Sequence, residues 1–285
     1  AARILDLGGI VVDKNTIPGD EITALASGIR MGTPWVTQRG LRPEHMDELA
    51  DIIARVVTNI QPFKYEGLLG ELPRGKIDLD ILESAKRDVD AFAARTLSGT
   101  EPRGLGYPYH MIVPAKPTPK MPIDLPTLDT PGESKGDALL LNTSDMGVLR
   151  IRGWRVKPFV QQISTNNIAL LSPNQAQRTF LLDKDGVLID DVTVLRLQKD
   201  GRGRDCFVML ANPEKAVRLK SWLRGLADGY VLFDNEDVFR KAEGPAVIED
   251  MVEDELEDPG AHLLNLTLVG PGAPEVLHKL DVPDL

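Results

Sequence analysis

Apolar positions recur at helical spacing in some segments of this chain and as extended runs in others. "AARILDLGG" at the start reads as the end of a helix. "IVVDKNTIP" is apolar and β-branched until Pro18 stops it, which predicts a strand, and "ASGIRMGTPWVT" predicts a second. "RPEHMDELADIIARVVTN" places Met46, Leu49, Ile53, Val56 and Val57 at helical spacing behind Pro43 in the first turn. "DLDILESAKRDVDAFAARTL" predicts a helix from near Asp78 to Gly99. Pro102 to Pro131 contains eight prolines, a density that neither a helix nor a central strand tolerates. It reads as an extended connector between two units.

Strand signals dominate the second unit. "DALLLNTSDMGVLRIRG" suggests two short strands around a polar kink, and "VKPFVQQISTN" a helix. "RTFLLDKDGVLIDDVTVLRLQ" predicts a hairpin turning at Asp185-Gly186, with "DCFVMLAN" pairing next. "NPEKAVRLKSWLRGL" predicts a helix with Pro213 near its start. The acidic "IEDMVEDELED" reads as a solvated helix face or loop, "LLNLTLVG" as a strand and "GAPEVLHKL" as a closing helix. No internal repeat stands out.

Composition narrows the partners. The 285 residues carry a net charge of −10, which argues against nucleic acid. A local basic patch could still hold a small anion. Cys206 is the one cysteine, so no internal disulfide forms and a reducing compartment is expected. His45, His110, His262 and His278 lack metal-ligand spacing. No run of about 18 apolar residues predicts a membrane span, and no signal peptide opens the chain. Its first residues lack a methionine and read as mid-helix, so a cut N-terminus is expected.

Several residues offer chemistry. Arg30, between Gly28 and Gly32 in "SGIRMGTP", is either a carboxylate clamp or an outward-facing surface charge. Asn15 in "DKNTIPGD" either recognises a heterocycle edge or shapes a turn. Asp190 and Asp191 interrupt an apolar strand, and neighbouring strand residues face opposite ways. At most one of them is therefore expected to face a given cavity, where it could bind an N–H-bearing ligand or move a proton. The alternative is a bulge or edge with both carboxylates in water. "NTSDMG" gathers small polar groups around Met146 between strands, as a site loop or a simple turn.

Residues 1 to about 60 resemble the C-terminal small domain of serine hydroxymethyltransferase, through "DKNTIPGD" followed by "SGIRMGTPWVTQRG" and an acidic amphipathic helix. The resemblance implies that Arg30 grips the carboxylate of glycine or serine and that Asn15 sits near folate. Asp13 stands where that family's N-K-N triplet has its first asparagine. The lysine that holds pyridoxal phosphate is expected upstream of Ala1.

Residues from about 138 onward resemble the first part of the aminomethyltransferase family, the T-protein of the glycine cleavage system. "NTSDMGVLRIRG", "ISTNNI", "AQRTFLLDKDGVLIDDVTVLRL", "CFVMLAN" and "LLNLTLVGPGAPEVLHKL" carry it. The resemblance implies that Asp190 or Asp191, with Asp190 favoured, faces the folate and acts in one-carbon transfer at N10. It places Met146, Thr165, Asn166 and Arg178 around the same cofactor. Asp145 replaces the family's histidine and Arg178 its tyrosine.

The expected fold class is α+β. A small α/β C-terminal domain of a fold-type I pyridoxal-phosphate enzyme (1–100) precedes a proline-rich linker (101–136). An incomplete aminomethyltransferase-like folate-binding domain of mixed antiparallel sheet and helix follows (137–285). The expected function is that of a cytoplasmic one-carbon transferase, a fusion seen here in part. It would use tetrahydrofolate and, mainly through the upstream domain, pyridoxal phosphate. Its partners would be folate, glycine and serine, with no nucleic acid or membrane, and it would dimerise through the upstream domain. The alternative is a non-catalytic folate-binding or interaction module.

Overall fold

Helix α1 (Ala2–Leu7) buries Ile4, Leu5 and Leu7, so the chain enters the core within its first turns. The computed structural model describes residues 1–67, 70–96, 137–252, 262, 263 and 265–280. The proline-rich connector lies outside the described residues.

Strands β1 (Asp13–Asn15) and β2 (Gly28–Arg30) form a two-stranded antiparallel ribbon. Asp20 ties its loop, accepting hydrogen bonds from Ile17 N (2.9 Å), Ser27 N (3.0 Å) and Ser27 Oγ (2.7 Å). These bonds hold the Asp20 carboxyl below its ordinary pKa, the Ser27 backbone N–H first among them. The predicted second strand ends early. Helix α2 (Pro34–Gln38) takes over its last residues, because Pro34 suits a first helical turn.

Helix α3 (Met46–Thr58) buries Ile52 and Val56, one turn apart, while Val57 stays exposed. Strands β3 (Gln61–Gly67) and β4 (Gly70–Lys76) form a hairpin that no strand signal announced. Helix α4 (Leu79–Thr96) follows and packs on α3.

The second half opens with β5 (Leu139–Asn142), β6 (Gly147–Gly153) and α5 (Val156–Ile163). The predicted hairpin is present as β7 (Ala176–Leu182) and β8 (Leu188–Arg196), with Gly186 in its turn at φ +77°. Then come β9 (Asp205–Ala211), α6 (Ala216–Asp228), β10 (Val247–Asp250), β11 (Leu266–Val269) and α7 (Ala273–Lys279). The fold is mixed α and β with antiparallel sheets. The main sheet runs β10-β6-β9-β8-β7, and β5 pairs with β11 in a separate ribbon.

The acidic run begins differently from its expected helix face or loop, since Ile248–Asp250 belong to β10. Glu249 bonds Arg150 Nε (2.9 Å) and Arg152 Nη2 (2.7 Å), and Asp250 pairs with buried Lys220 of α6 at 2.7 Å. Partnered carboxylates can enter a sheet that bare ones cannot.

Alternation gives the main sheet two unlike faces. Leu149, Ile151, Leu181, Val192, Val194, Phe207 and Met209 point to a core shared with α5 and α6. The same core includes Ile4, Leu5, Ile52, Val56, Ile77 and Leu82 from the first half. Ile77 N donates to Tyr230 O (2.9 Å) and Leu232 N to Ile77 O (3.1 Å). Arg218 of α6 reaches back to Glu83 (2.7 Å) and Asp80 (2.6 Å), and Lys184 to Asp78 (2.9 Å). Among the described residues no helix is long and apolar enough to cross a membrane.

Candidate functional site

Strand alternation separates the two central aspartates. Asp190 shares a face with Val192 and Val194 and is 0% exposed. Its carboxylate accepts from Asn212 N (3.0 Å), Asn212 Nδ2 (2.5 Å) and Asp191 N (2.9 Å). With those donors Asp190 fixes Asn212, the residue just beyond β9, and a ligand would have to displace Asn212 to reach it.

Asp191 points to the other face. Arg178 of β7 holds it with both ends of its fork, Nε to Oδ1 at 2.8 Å and Nη2 to Oδ2. The register pairs Phe180 with Asp191 and Arg178 with Thr193, so cation and carboxylate are diagonal neighbours on one face. These hydrogen bonds raise the guanidinium pKa further above its already high value.

A second grip on β7 comes from the segment after α5. Asn166 Nδ2 donates to Arg178 O (2.6 Å), and Asn166 N to Thr179 Oγ1 (3.1 Å). Thr165 Oγ1 accepts from Phe180 N (3.2 Å). Thr165, Asn166, Arg178 and Asp191 therefore form one cluster, with the half-exposed Phe180 ring on its surface. A carboxylate and an open ring on one face, with the Asn166 amide along the edge of β7, suit a flat heterocycle that carries N–H donors.

Met146 lies at the end of the sheet, immediately before Gly147, whose ladder partner is Ala211. Met146 and Asn212 thus leave the sheet at the same end. Asn265 Nδ2 lies 3.2 Å from the Met146 sulfur, and Ser144 N donates to Asn142 Oδ1 at 3.0 Å. Asp145 in that loop is exposed.

Arg30 stands on the separate β1–β2 ribbon. Its Nη2 meets Asp13 Oδ2 at 2.6 Å, with side chains 66% and 64% exposed. The two residues are directly opposed in register, and Asn15 lies two positions along on the same face. Gly28 serves the ribbon itself. A Cβ there would come within 2.3 Å of Ile17 Cγ2. Beside the pair opens a cleft of about 310 Å³ bordered by Val11, Val12, Met31, Pro34 and Trp35. Its charged lining is Asp13 and Arg30, so it offers no amine that an aldehyde cofactor such as pyridoxal phosphate would need.

Asp13 and Asn212 carry no site role in the sequence-based reading. Asp13 reads as a departure from the resembled triplet and Asn212 closes "CFVMLAN", but neither pairing shows in linear order. Among the described residues no group of three or more His, Cys, Asp or Glu could hold a metal ion. Cys206 is buried, and that burial raises its thiol pKa.

Two family models match the chain, the GCVT N-terminal domain over residues 134–285 and serine hydroxymethyltransferase over residues 1–53. An aminomethyltransferase of Geobacillus thermodenitrificans is 30% identical over 146 residues, covering 51% of this chain and 32% of that protein. A serine hydroxymethyltransferase of Bombyx mori is 41% identical over 69 residues, covering 24% of this chain and 15% of that protein. The chain thus spans about a third or less of these two curated relatives. The crystal structure of glycine cleavage system aminomethyltransferase T from Bartonella henselae aligns with 52% of this chain and 33% of that one. Its TM-score is 0.37 and its identity 21%.

Proposed function

Because the chain belongs to the GCVT N-terminal domain family, we propose that the sheet face around Asp191 binds a reduced folate within a one-carbon transferase that also handles glycine. The observation that carries this reading is the Asp191 cluster, in which carboxylate and ring share one face and the Asn166 amide braces the strand edge beside them. Tetrahydrofolate, when bound, supplies the secondary amine that takes up the one-carbon unit. Asp191 accepts a hydrogen bond from that amine and can hold its proton. Phe180 gives the flat ring a surface to lie on. Thr165 and Asn166 keep β7 in place beneath it. Asp190 acts behind them as a positioning residue, because it fixes Asn212, whose Nδ2 also bonds Asp191 O at 3.2 Å.

At the ribbon, Arg30 holds the carboxylate of glycine or serine. Support comes from its place in the residues that match the serine hydroxymethyltransferase model and from the open cleft beside it.

A second reading, a folate-binding or interaction module without catalysis, is favoured by the bidentate Arg178–Asp191 contact, which already satisfies the carboxylate. Calorimetric titration of the whole chain with tetrahydrofolate tests the role of Asp191 in binding. Asp191→Asn is expected to weaken binding about tenfold, the loss of one charge-assisted hydrogen bond. Arg178→Tyr is expected to strengthen it by freeing Asp191. Unchanged affinity in Asp191→Asn removes Asp191 from the site. Retained binding that ignores Arg178→Tyr favours the module.

A further inference from the structure

Asp13 and Arg30 meet at the edge of the cleft, opposite charges in contact against Val11, Met31 and Trp35. Both side chains are about two-thirds exposed. Each can therefore turn to a ligand at small cost, because an exposed pair contributes little on its own. The ladder opposes Asp13 to Arg30 directly, so the two charges enter the cleft as a unit.

We infer that Asp13 makes this cleft selective for zwitterions: it takes the ammonium of a small α-amino acid whose carboxylate goes to Arg30. The inference rests on the reading of Arg30 as a carboxylate clamp. A plain carboxylate must win Arg30 from Asp13 and then sits beside a displaced like charge, which repels it. A zwitterion exchanges one ion pair for two. Its charged groups lie on adjacent carbons, close enough to engage both poles together. The cleft, at about 310 Å³, leaves room for a small side chain along the exposed Trp35 ring.

Glycine and glycolate are matched probes, since they differ only in ammonium against hydroxyl. NMR titration of the full 285-residue chain, followed at the Trp35 indole N–H, reads binding at the cleft itself. The wild type is expected to prefer glycine about fivefold, the upper end for an exposed pair. Asp13→Asn should close that gap from both sides, with glycolate binding tighter and glycine weaker. Arg30→Ala should lose both ligands. If Asp13→Asn keeps the wild-type preference while Arg30→Ala abolishes binding, zwitterion selection is wrong and the clamp stands. If Arg30→Ala binds both probes as the wild type does, or the wild type binds neither, the clamp falls and the selectivity with it.

Discussion

The Asp13–Arg30 pair and the Arg178–Asp191 pair join the same side-chain types across neighbouring antiparallel strands, on very different supports. The first stands on a ribbon of two three-residue strands, with both partners largely in water. The second stands on a five-stranded sheet, with Arg178 77% and Asp191 23% exposed. Each pairs a residue that departs from the motif it resembles with one that keeps it: Asp13 with Arg30, Arg178 with Asp191. The supports decide what the pairs can do. Behind Asp191 lie Asp190 and Asn212, which fix its backbone before any ligand arrives. Among the described residues no buried carboxylate stands behind Arg30, where register and the Asp20-tied loop set the geometry. A preorganised carboxylate suits directional recognition of a ring. A loose, wet pair suits exchange with a small charged ligand.

The sharpest way to break this contrast is to remove its inner support. Asp190→Ala removes a fully buried carboxylate and the three hydrogen bonds it accepts from Asn212 and Asp191, and should cost ~3 kcal/mol in urea unfolding. A much smaller loss would mean that the sheet pair is no better supported than the ribbon pair. Next in size is Arg218→Ala, which takes from Glu83, 9% exposed at its side chain, its hydrogen-bonded cation and leaves only Arg87 at 4.0 Å, and should cost ~2 kcal/mol. A single unfolding transition in that variant would keep both pairs on one cooperative body, whereas two transitions would divide them.

Glu83 also gives a pH signature. Burial raises its carboxyl above the ordinary 4.5, with Arg218 pulling the other way. Its folded pKa lies above the unfolded one, so the folded state binds more protons there. Its contribution is fully present below 4.5 and is lost as pH rises through the folded value. Glu83→Gln should flatten that fall, measured as unfolding free energy against pH. Thr179→Val, which removes the acceptor of Asn166 N–H, should cost ~1 kcal/mol and loosen the Asp191 cluster, seen as faster amide exchange at Asn166. The smallest effect belongs to the ribbon. Asp13→Asn should leave the urea midpoint where it is, and a clear drop would give the ribbon pair a structural role.

Much of this architecture is readable from periodicity. The β7–β8 hairpin, α3, α4 and α6 stand close to where their patterns place them, because each buries one face in the core. The β3–β4 hairpin escapes notice because the described part of β3 is mostly exposed and β4 mixes exposed with partly buried positions, so no clean alternation marks them, and Pro62 and Pro73 read as breakers. Helix α2 reads as strand in the sequence because "PWVT" is too short to reveal its period. The start of the acidic run reads as solvated because Arg150, Arg152 and Lys220, which partner Glu249 and Asp250, lie far away in sequence. For the candidate site, alternation already separated Asp190 from Asp191. Which of the two faces the core depends on long-range pairing, as do the partners of Arg30 and Asp191.

Ile77 exchanges its backbone N–H and C=O with Tyr230 and Leu232, as a strand does with its neighbour. The residues that clasp the second half here, Ile77, Asp78, Asp80 and Glu83, fall in neither matched family segment. A protease nick between residues 96 and 137 should therefore yield two polypeptides that elute as one species. Expressed separately, the two pieces should find each other and reassociate, each serving as template for the other.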